Sequence, residues 1–342
     1  MKVLVTGGAG FIGSNFVRYF LGAHPDAQII NLDKLTYAGN LENLTEVASH
    51  PNYKFVLGDV CDAELVQTLM NRSPDAVVHF AAESHVDRSI ENPQEFIRTN
   101  VQGTHTLLEA ARRCRIKRFL HVSTDEVYGS LQPGESASEQ SAYCPNSPYA
   151  ASKAASDLIV RSYCKTFEFP AVTTRCSNNY GPNQFPEKLI PLMITNALEG
   201  KKLPVYGDGL NERDWIYVED HCRALDAVLH SGQPGEVYNI GYGRPLSNLE
   251  IIRSLLRILG KSEKLIEFVA DRPGHDRRYA LDTTKISTEL GWHVKVDLEE
   301  GLQRTVQWYV GHSDWVQKTR SGEYQKYYDK FYQQRNETLS RI

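Results

Sequence analysis

The 342-residue sequence contains no apolar run approaching the ~20 residues that a membrane-spanning helix needs, so no transmembrane segment is expected. A strand-like pattern already begins by residue 3, which leaves no room for a signal peptide and predicts a cytoplasmic chain. The six cysteines (Cys61, Cys114, Cys144, Cys164, Cys176 and Cys222) show no CxxC spacing. Buried thiols are therefore expected rather than disulfides or a zinc site. His79 and His85 are too loosely placed to suggest a metal centre, and none is expected. Long basic stretches are missing too, and the formal net charge of −4 gives no reason to invoke nucleic acid. The short clusters Arg112-Arg113 and Arg272 with Arg277-Arg278 are of a size to grip the phosphates of a small substrate. Internal repeats and low-complexity segments are absent.

A 41% hydrophobic content over this length supports a large core and predicts two domains. The first strand pattern, Lys2 to Thr6, runs directly into Gly7-Gly8-Ala9-Gly10-Phe11-Ile12-Gly13 and then a helical pattern through Phe16, Val17, Phe20 and Leu21. Gly7, Gly10 and Gly13 let the backbone turn tightly, approach a pyrophosphate and seat the helix against the strand. A lone glycine motif is weak, but a second strand, Gln28 to Leu32, ends in Asp33. That places an acid about 20 residues beyond the loop, where it can meet an adenine ribose diol. Asp33 favours NAD, because a carboxylate there repels the 2′-phosphate of NADP. Lys34 blurs this, since it either pairs with a phosphate or lies in solvent.

Further apolar strands appear at Lys54 to Leu57, Ala76 to Phe80, Arg118 to Ser123 and Ala171 to Arg175, with room for helices between them. The alternation predicts an α/β fold, a parallel sheet covered on both faces. In such sheets ligands sit beyond the carboxyl ends of the strands. Asp33, Asp59, Ala81, Ser84, Thr124, Asp125, Glu126, Asn178 and Asn179 follow strands and become site candidates. Asp59 taken alone reads rather as a turn or cap residue.

Tyr149 and Lys153 lie four apart behind Pro148, a suitable helix start, so phenol and ammonium share a face. The ammonium and a positive nicotinamide ring are expected to lower the phenol's pKa from near 10, making Tyr149 a base. YxxxK by itself is weak in a chain with 18 tyrosines. A Thr/Tyr/Lys set suggests hydride transfer at an alcohol carbon; the added acids Asp125 and Glu126 suggest that water is also removed. Successive strand residues point to opposite faces, so both acids reach one substrate only if the strand has ended, and Gly129 permits that bend. The alternative has one acid capping a helix or pairing with an arginine and the other solvated.

Taken together, the glycine loop, Asp33 to Asn40, Ala82 to Asp87, Ser123 to Gly129, Tyr149 to Lys153, Asn178 to Pro182 and Arg213-Asp214-Trp215 resemble the dTDP-glucose 4,6-dehydratase family of the extended short-chain dehydrogenase/reductase superfamily. The resemblance extends to about Tyr328. The glycine loop and YxxxK are shared across the superfamily, whereas Thr124-Asp125-Glu126 is the discriminating element. The resemblance implies a doubly wound Rossmann sheet with a smaller, mostly helical C-terminal substrate domain. It implies that Gly7, Gly10, Phe11, Ile12, Gly13, Asp33, Lys34, Leu35, Thr36, Asp59, Val60, Ala81, Thr99, Tyr149, Lys153 and Asn179 contact NAD. Ser84, Thr124, Asn178, Lys188, Leu189, Pro204, Tyr206, Arg213, Asn248, Asp271, Arg272 and His275 would hold dTDP-glucose. Catalysis would fall to Thr124, Asp125, Glu126, Tyr149 and Lys153. A homodimer through helices near 101–114 and 149–167 is also implied. A UDP-glucose dehydratase, or a sugar-nucleotide epimerase or decarboxylase, stands as the alternative; the latter two would not need both acids.

Beyond residue 180 the pattern loosens through Pro182, Pro186, Pro191 and Pro204, then a helix at Glu219 to Leu229 and a strand at Glu236 to Ile240 return. The expected division is 1–180 plus about 216–243 for the NAD domain, and about 181–215 plus 244–342 for the sugar-nucleotide domain. Tyr324, Tyr327, Tyr328 and Phe331 recur at helical spacing and predict packing on the cap or a partner.

Overall fold

The computed structural model describes residues 1–320, so Tyr324, Tyr327, Tyr328 and Phe331 lie outside the described residues. Strands β1 (Lys2–Thr6), β2 (Gln28–Asp33), β3 (Tyr53–Leu57), β4 (Ala76–His79), β5 (Arg118–Thr124) and β6 (Ala171–Cys176) form where the apolar runs predict them. Helix α1 (Phe11–Ala23) follows the glycine loop, and α2 (Ala63–Met70), α3 (Val86–Glu91), α4 (Pro93–Phe96), α5 (Gly103–Arg113) and α6 (Pro148–Phe167) fill the remaining crossovers. One π-helical segment, Ile97–Gln102, leads into α5.

Later in the chain come β7 (Asn178–Tyr180), α7 (Leu189–Leu198), β8 (Leu203–Tyr206), β9 (Glu212–Arg213), β10 (Trp215–Tyr217), α8 (Val218–Ser231) and β11 (Val237–Ile240). The series closes with β12 (Leu246–Ser247), α9 (Asn248–Leu259), β13 (Ile266–Val269), α10 (Thr284–Leu290), α11 (Leu298–Gly311) and α12 (Ser313–Thr319).

The main sheet has seven strands in the order β11-β6-β5-β4-β1-β2-β3, all paired in parallel. The order reverses between β1 and β4, and the crevice at their carboxyl ends is where a doubly wound sheet binds ligands. Alternate residues feed opposite faces. Val3, Val5, Val78 and Leu120 pack with α1 and α8, while Leu4, Val77 and Phe119 pack with residues of α2, α5 and α6.

A separate apolar core joins α7, α9, α11 and α12 through Ile194, Leu255, Val306 and Trp315. Three two-stranded pairings, β7 with β10, β9 with β12 and β8 with β13, are attached to this part, so it is less purely helical than expected. The described residues of 244–320 contribute to both cores. Ile286 of α10 and Trp292 belong to the core under the main sheet, because the Ile286 side chain is apolar on the face turned to α8 and β11 and the Trp292 indole donates to the Asp220 carbonyl at 3.2 Å. Of the cysteines, only Cys176 and Cys222 are buried; all six are free and Cys144 is exposed, which corrects the expectation of generally buried thiols.

Candidate active site

Gly7 has φ +74°, and a Cβ there would meet the Ala81 amide nitrogen at 2.6 Å. A Cβ on Gly13 would meet the Gly7 carbonyl oxygen at 2.2 Å. Only glycine permits α1 to start so close to β1 and β4. Gly10 caps α1 without a side-chain hydrogen bond, so the first-turn amides and the positive end of the helix dipole point toward the crevice.

Asp33 is locked by two backbone donors, Leu35 N at 2.8 Å to Oδ1 and Ala9 N at 2.9 Å to Oδ2. Burial raises its carboxyl, and these hydrogen bonds oppose the rise. The Lys34 ammonium, half exposed at the cavity wall, pairs with Asp59 at 2.9 Å, and Arg98 reaches the same carboxylate at 2.7 Å. Burial opposes ionisation of Asp59, but the Cys61 amide and these two cations hold it well below the ordinary carboxylate range.

A cavity of about 300 Å³ runs over the carboxyl ends of the central strands. Gly7, Gly10, Phe11, Ile12 and Gly13 line one end with Asp33, Lys34, Thr36, Asp59, Val60, Ala81 and Thr99; Thr124, Asp125, Glu126, Tyr149, Lys153 and Asn179 line the other. Ser84, Asn178 and Lys188 are in the same wall. Leu35 is outside this lining; it sits at φ 54° with its amide turned onto Asp33. The glycine cradle, bare helix end and locked acid together fit a dinucleotide.

At the chemical end, β5 stops at Thr124 and the chain enters a short 3-10 turn, Asp125–Tyr128. The Thr124 hydroxyl donates to Asp125 Oδ1 at 3.2 Å and accepts from the Glu126 amide at 3.3 Å. Gly129, at φ 72°, closes the turn against the Cys144 carbonyl, which a Cβ would meet at 2.1 Å. Both acids thereby reach one cavity.

Asp125 is held well above the usual carboxylate range by burial and then by Glu126, with Arg213 opposing. Glu126 keeps part of its surface open to the cavity. Burial raises it as well, but Arg272, Lys188 and Arg213 counter this. The unequal environments separate an acid from a base.

Opposite lies α6, whose N-cap Ser147 accepts from Ala150 N at 3.1 Å. The Lys153 ammonium donates to the Val122 carbonyl at 2.8 Å, and burial lowers its pKa while Asp157 raises it. The Tyr149 phenol is pushed up rather than down, first by burial and then by Glu126, with Thr124 working the other way. The expected lowering therefore does not arise from the protein alone: the Lys153 charge is turned onto a backbone carbonyl, and the positive ring the argument required belongs to the cofactor.

A second cavity of about 160 Å³ shares Glu126, Asn178, Asn179, Glu187 and Lys188 with the first. Its wall includes Leu189, Pro204, Tyr206, Arg213, Asn248, Arg272 and His275. Arg213 stacks on Tyr279 at 4.3 Å and donates to the Asp276 carbonyl at 2.8 Å. Arg272 donates to Asp87 Oδ1 at 3.2 Å, and Tyr206 donates to the other oxygen at 3.3 Å. Asp271 lines neither cavity; its carboxylate is exposed and pairs with His275 Nδ1 at 2.6 Å, so it orients that ring from behind. Asn178 Oδ1, Asn248 Oδ1, Asp125 Oδ2 and Arg272 Nε are buried polar atoms with no hydrogen-bond partner among the described residues. Such atoms mark a surface shaped for a polar ligand. Lys188, Arg213 and Arg272 together suit a diphosphate.

Sequence reasoning missed Asp87 as the anchor of Arg272, although it stands in the Ala82 to Asp87 motif. It also missed Tyr279 and Glu187. Glu187 pairs with Arg88 at 3.2 Å and is pushed up to about 7 by burial. Neither sits at a strand end or in a recognisable pattern, so no local signal pointed to them.

The family model described as GDP-mannose 4,6 dehydratase matches residues 4–305. The chain is 49% identical to a dTDP-glucose 4,6-dehydratase of Shigella flexneri, over 98% of this chain and 100% of that protein. It is 55% identical to the low-salt glycan biosynthesis protein Agl12 of Haloferax volcanii, over 91% and 99% respectively. Among solved structures, the dTDP-glucose 4,6-dehydratase DesIV of Streptomyces venezuelae, with NAD and TYD bound, superposes with a TM-score of 0.91 at 53% identity, covering 93% of this chain and 100% of that one.

Proposed function

The chain belongs to the dTDP-glucose 4,6-dehydratase family, NAD-dependent hydro-lyases, and from that premise we propose how its own side chains convert dTDP-glucose to dTDP-4-keto-6-deoxyglucose and water. The observation that carries this reading is the acid pair Asp125 and Glu126, turned into the cavity that Tyr149 and Lys153 face. Gly7 to Gly13, Asp33, Asp59 and Lys153 would hold NAD, which when bound supplies a hydride acceptor at sugar C4 and returns the same hydride to C6.

Tyr149 takes the C4 hydroxyl proton, with the Thr124 hydroxyl beside it favouring the phenolate and the positive ring of bound NAD adding to that effect. The resulting ketone acidifies the C5 hydrogen, which Glu126 removes. Asp125, kept protonated by burial and by its neighbour, donates to the C6 hydroxyl as it leaves as water, and Glu126 returns its proton to C5 as C6 is reduced. Lys188, Arg213 and Arg272 grip the diphosphate, while Ser84, Asn178 and Asn248 orient the sugar nucleotide. Within the division of labour suggested by the two cores, the main sheet carries the cofactor, and the part built on α7, α9 and α11 carries the nucleotide.

A homodimer belongs with this reading, supported by Leu158 and Phe167 of α6 and Ile97 ahead of α5, which are 49%, 49% and 53% exposed. Sedimentation should give twice the chain mass. A cytoplasmic location is supported by six thiols left free, a state that reducing compartments maintain. Purified protein incubated with dTDP-glucose should yield a product lighter by one water; a product of unchanged mass would overturn the dehydratase reading. With UDP-glucose the rate should fall about 10-fold or more, since one methyl group is worth about 1–3 kcal/mol of discrimination.

A further inference from the structure

Helix α1 begins at the dinucleotide cradle and ends about 20 Å away, given its 13 residues and ~1.5 Å rise per residue. Its C-cap is His24, packed against the last turns of α8. There Asp226 and His230, four apart and on one helical face, meet it. His24 Nε2 lies 2.9 Å from Asp226 Oδ1, and His230 Nδ1 lies 3.0 Å from the same oxygen. One donor atom from each of the three side chains falls within 4.8 Å of the other two.

The surroundings resemble a metal site more than a casual surface pair. Tyr19 donates to Asp226 Oδ2 at 3.3 Å, an oxygen that also lies 3.1 Å from His24 Nε2, so the carboxylate is held from a third side chain. Such outer partners orient ligands in metal centres. Phe20 forms an apolar floor, its ring 4.5 Å from His24 and 6.1 Å from His230, and the two imidazoles stack at 5.0 Å. Two helices also direct their negative C-terminal ends here, and neither carries Lys or Arg in its last turn. The nearby cation Arg223 is engaged by Asp220. The side chains of His24 and Asp226 are 34% and 16% exposed, which leaves an entry path.

We propose that His24, Asp226 and His230 bind one divalent transition-metal ion of the zinc class, stapling the end of α1 to α8. Two imidazoles and a carboxylate select such an ion over magnesium or calcium. Tetrahedral bonds of ~2.0–2.1 Å place donors about 3.3 Å apart, near the 2.9 and 3.0 Å that separate each imidazole from Asp226, while the two imidazole nitrogens lie within 4.8 Å of each other. Three protein ligands leave the fourth position to water. The site takes no part in the sugar chemistry, so its effect is on stability.

The test uses the full-length, NAD-loaded protein freed of metal by chelator and titrated with zinc alone, then with cobalt. Expected are one equivalent bound per chain, a visible absorption band from tetrahedral cobalt, and a rise in Tm of about 2–5 °C under saturating zinc. His24→Ala and His230→Ala should each abolish the band and the rise, whereas His293→Ala, on the exposed surface, should leave both intact. Magnesium should have no effect, and turnover of dTDP-glucose at saturating substrate should be unchanged by zinc. Absence of stoichiometric binding, or binding that persists in the His24→Ala/His230→Ala double variant, overturns the proposal.

Discussion

Asp125 and Glu126 are adjacent in the chain, yet the protein gives them unlike surroundings: burial and a like charge weigh most on the first, and Arg272, Lys188 and Arg213 counter burial at the second, as the proposed acid and base roles require. Tyr149→Phe should lose both oxidation and dehydration. Asp125→Ala or Glu126→Ala should still oxidise C4 and accumulate bound reduced cofactor, because loss of a positioned acid or base costs about 10²–10⁴ in rate and makes elimination limiting. Rapid-mixing traces of reduced-nicotinamide absorbance distinguish these outcomes. An acid variant that dehydrates at the wild-type rate would show its assignment to be wrong.

The raised carboxyl of Asp125 also has a stability consequence with a definite sign. Below the unfolded carboxyl range the group is neutral in both states and costs nothing by ionisation. As pH rises through that range the unfolded chain ionises while the buried group cannot, so stability is lost up to the folded pKa. Asp125→Asn should therefore raise Tm at neutral pH, by about 0.5–2 kcal/mol of stability, and have little effect near pH 3. Thermal melts at the two pH values check this; equal effects at both would remove titration as the cause.

Among the elements, the glycine loop is the least forgiving. A Cβ at position 13 would strike the Gly7 carbonyl and the Gly8 Cα at 2.2 and 2.8 Å, and backbone atoms cannot swing aside. Gly13→Ala should cost about 1–3 kcal/mol by overpacking and strip the purified protein of dinucleotide. Chromatography of the denatured supernatant measures the loss, and full NAD occupancy in that variant would contradict the cradle geometry. This loop was legible in the sequence for the same reason that it is fragile: only glycine meets its steric demands. The strands of the main sheet were legible because burial on both faces requires continuous apolar runs, as in Val3 to Val5 and Ala76 to Val78. By contrast β9 and β12, of two residues each, carry no periodicity and were not foreseen. The same limit hid Tyr279 and Glu187, which join the second cavity through long-range folding, and α10, whose seven residues gave no sign that they return to the main sheet. The pairing of Lys34 with Asp59 was not legible either, because the two follow different strands.

At the scale of the whole molecule, a redox-neutral cycle requires both cavities to act on one substrate without exchange of the cofactor. The protein should purify with NAD and turn over without added dinucleotide. Substrate deuterated at C4 should give product labelled at C6, read by mass spectrometry or NMR. Label lost to solvent, or stoichiometric release of reduced cofactor, would be inconsistent with that cycle. The two parts are also bound by hydrogen bonds that no single element could provide. Asn43 donates to the Ala9 carbonyl of the glycine loop at 3.0 Å, while its own oxygen accepts from Asn183 at 3.2 Å and from the Trp315 indole at 2.9 Å.

Asn43 and Trp315 are 272 positions apart, which at a synthesis rate of ~5–20 residues per second amounts to roughly 15–55 s on the ribosome. A nascent chain thus makes its dinucleotide loop early but receives the indole that secures it only after those 272 further positions have been added. The order of manufacture makes the last described helix the keystone of the first-made loop.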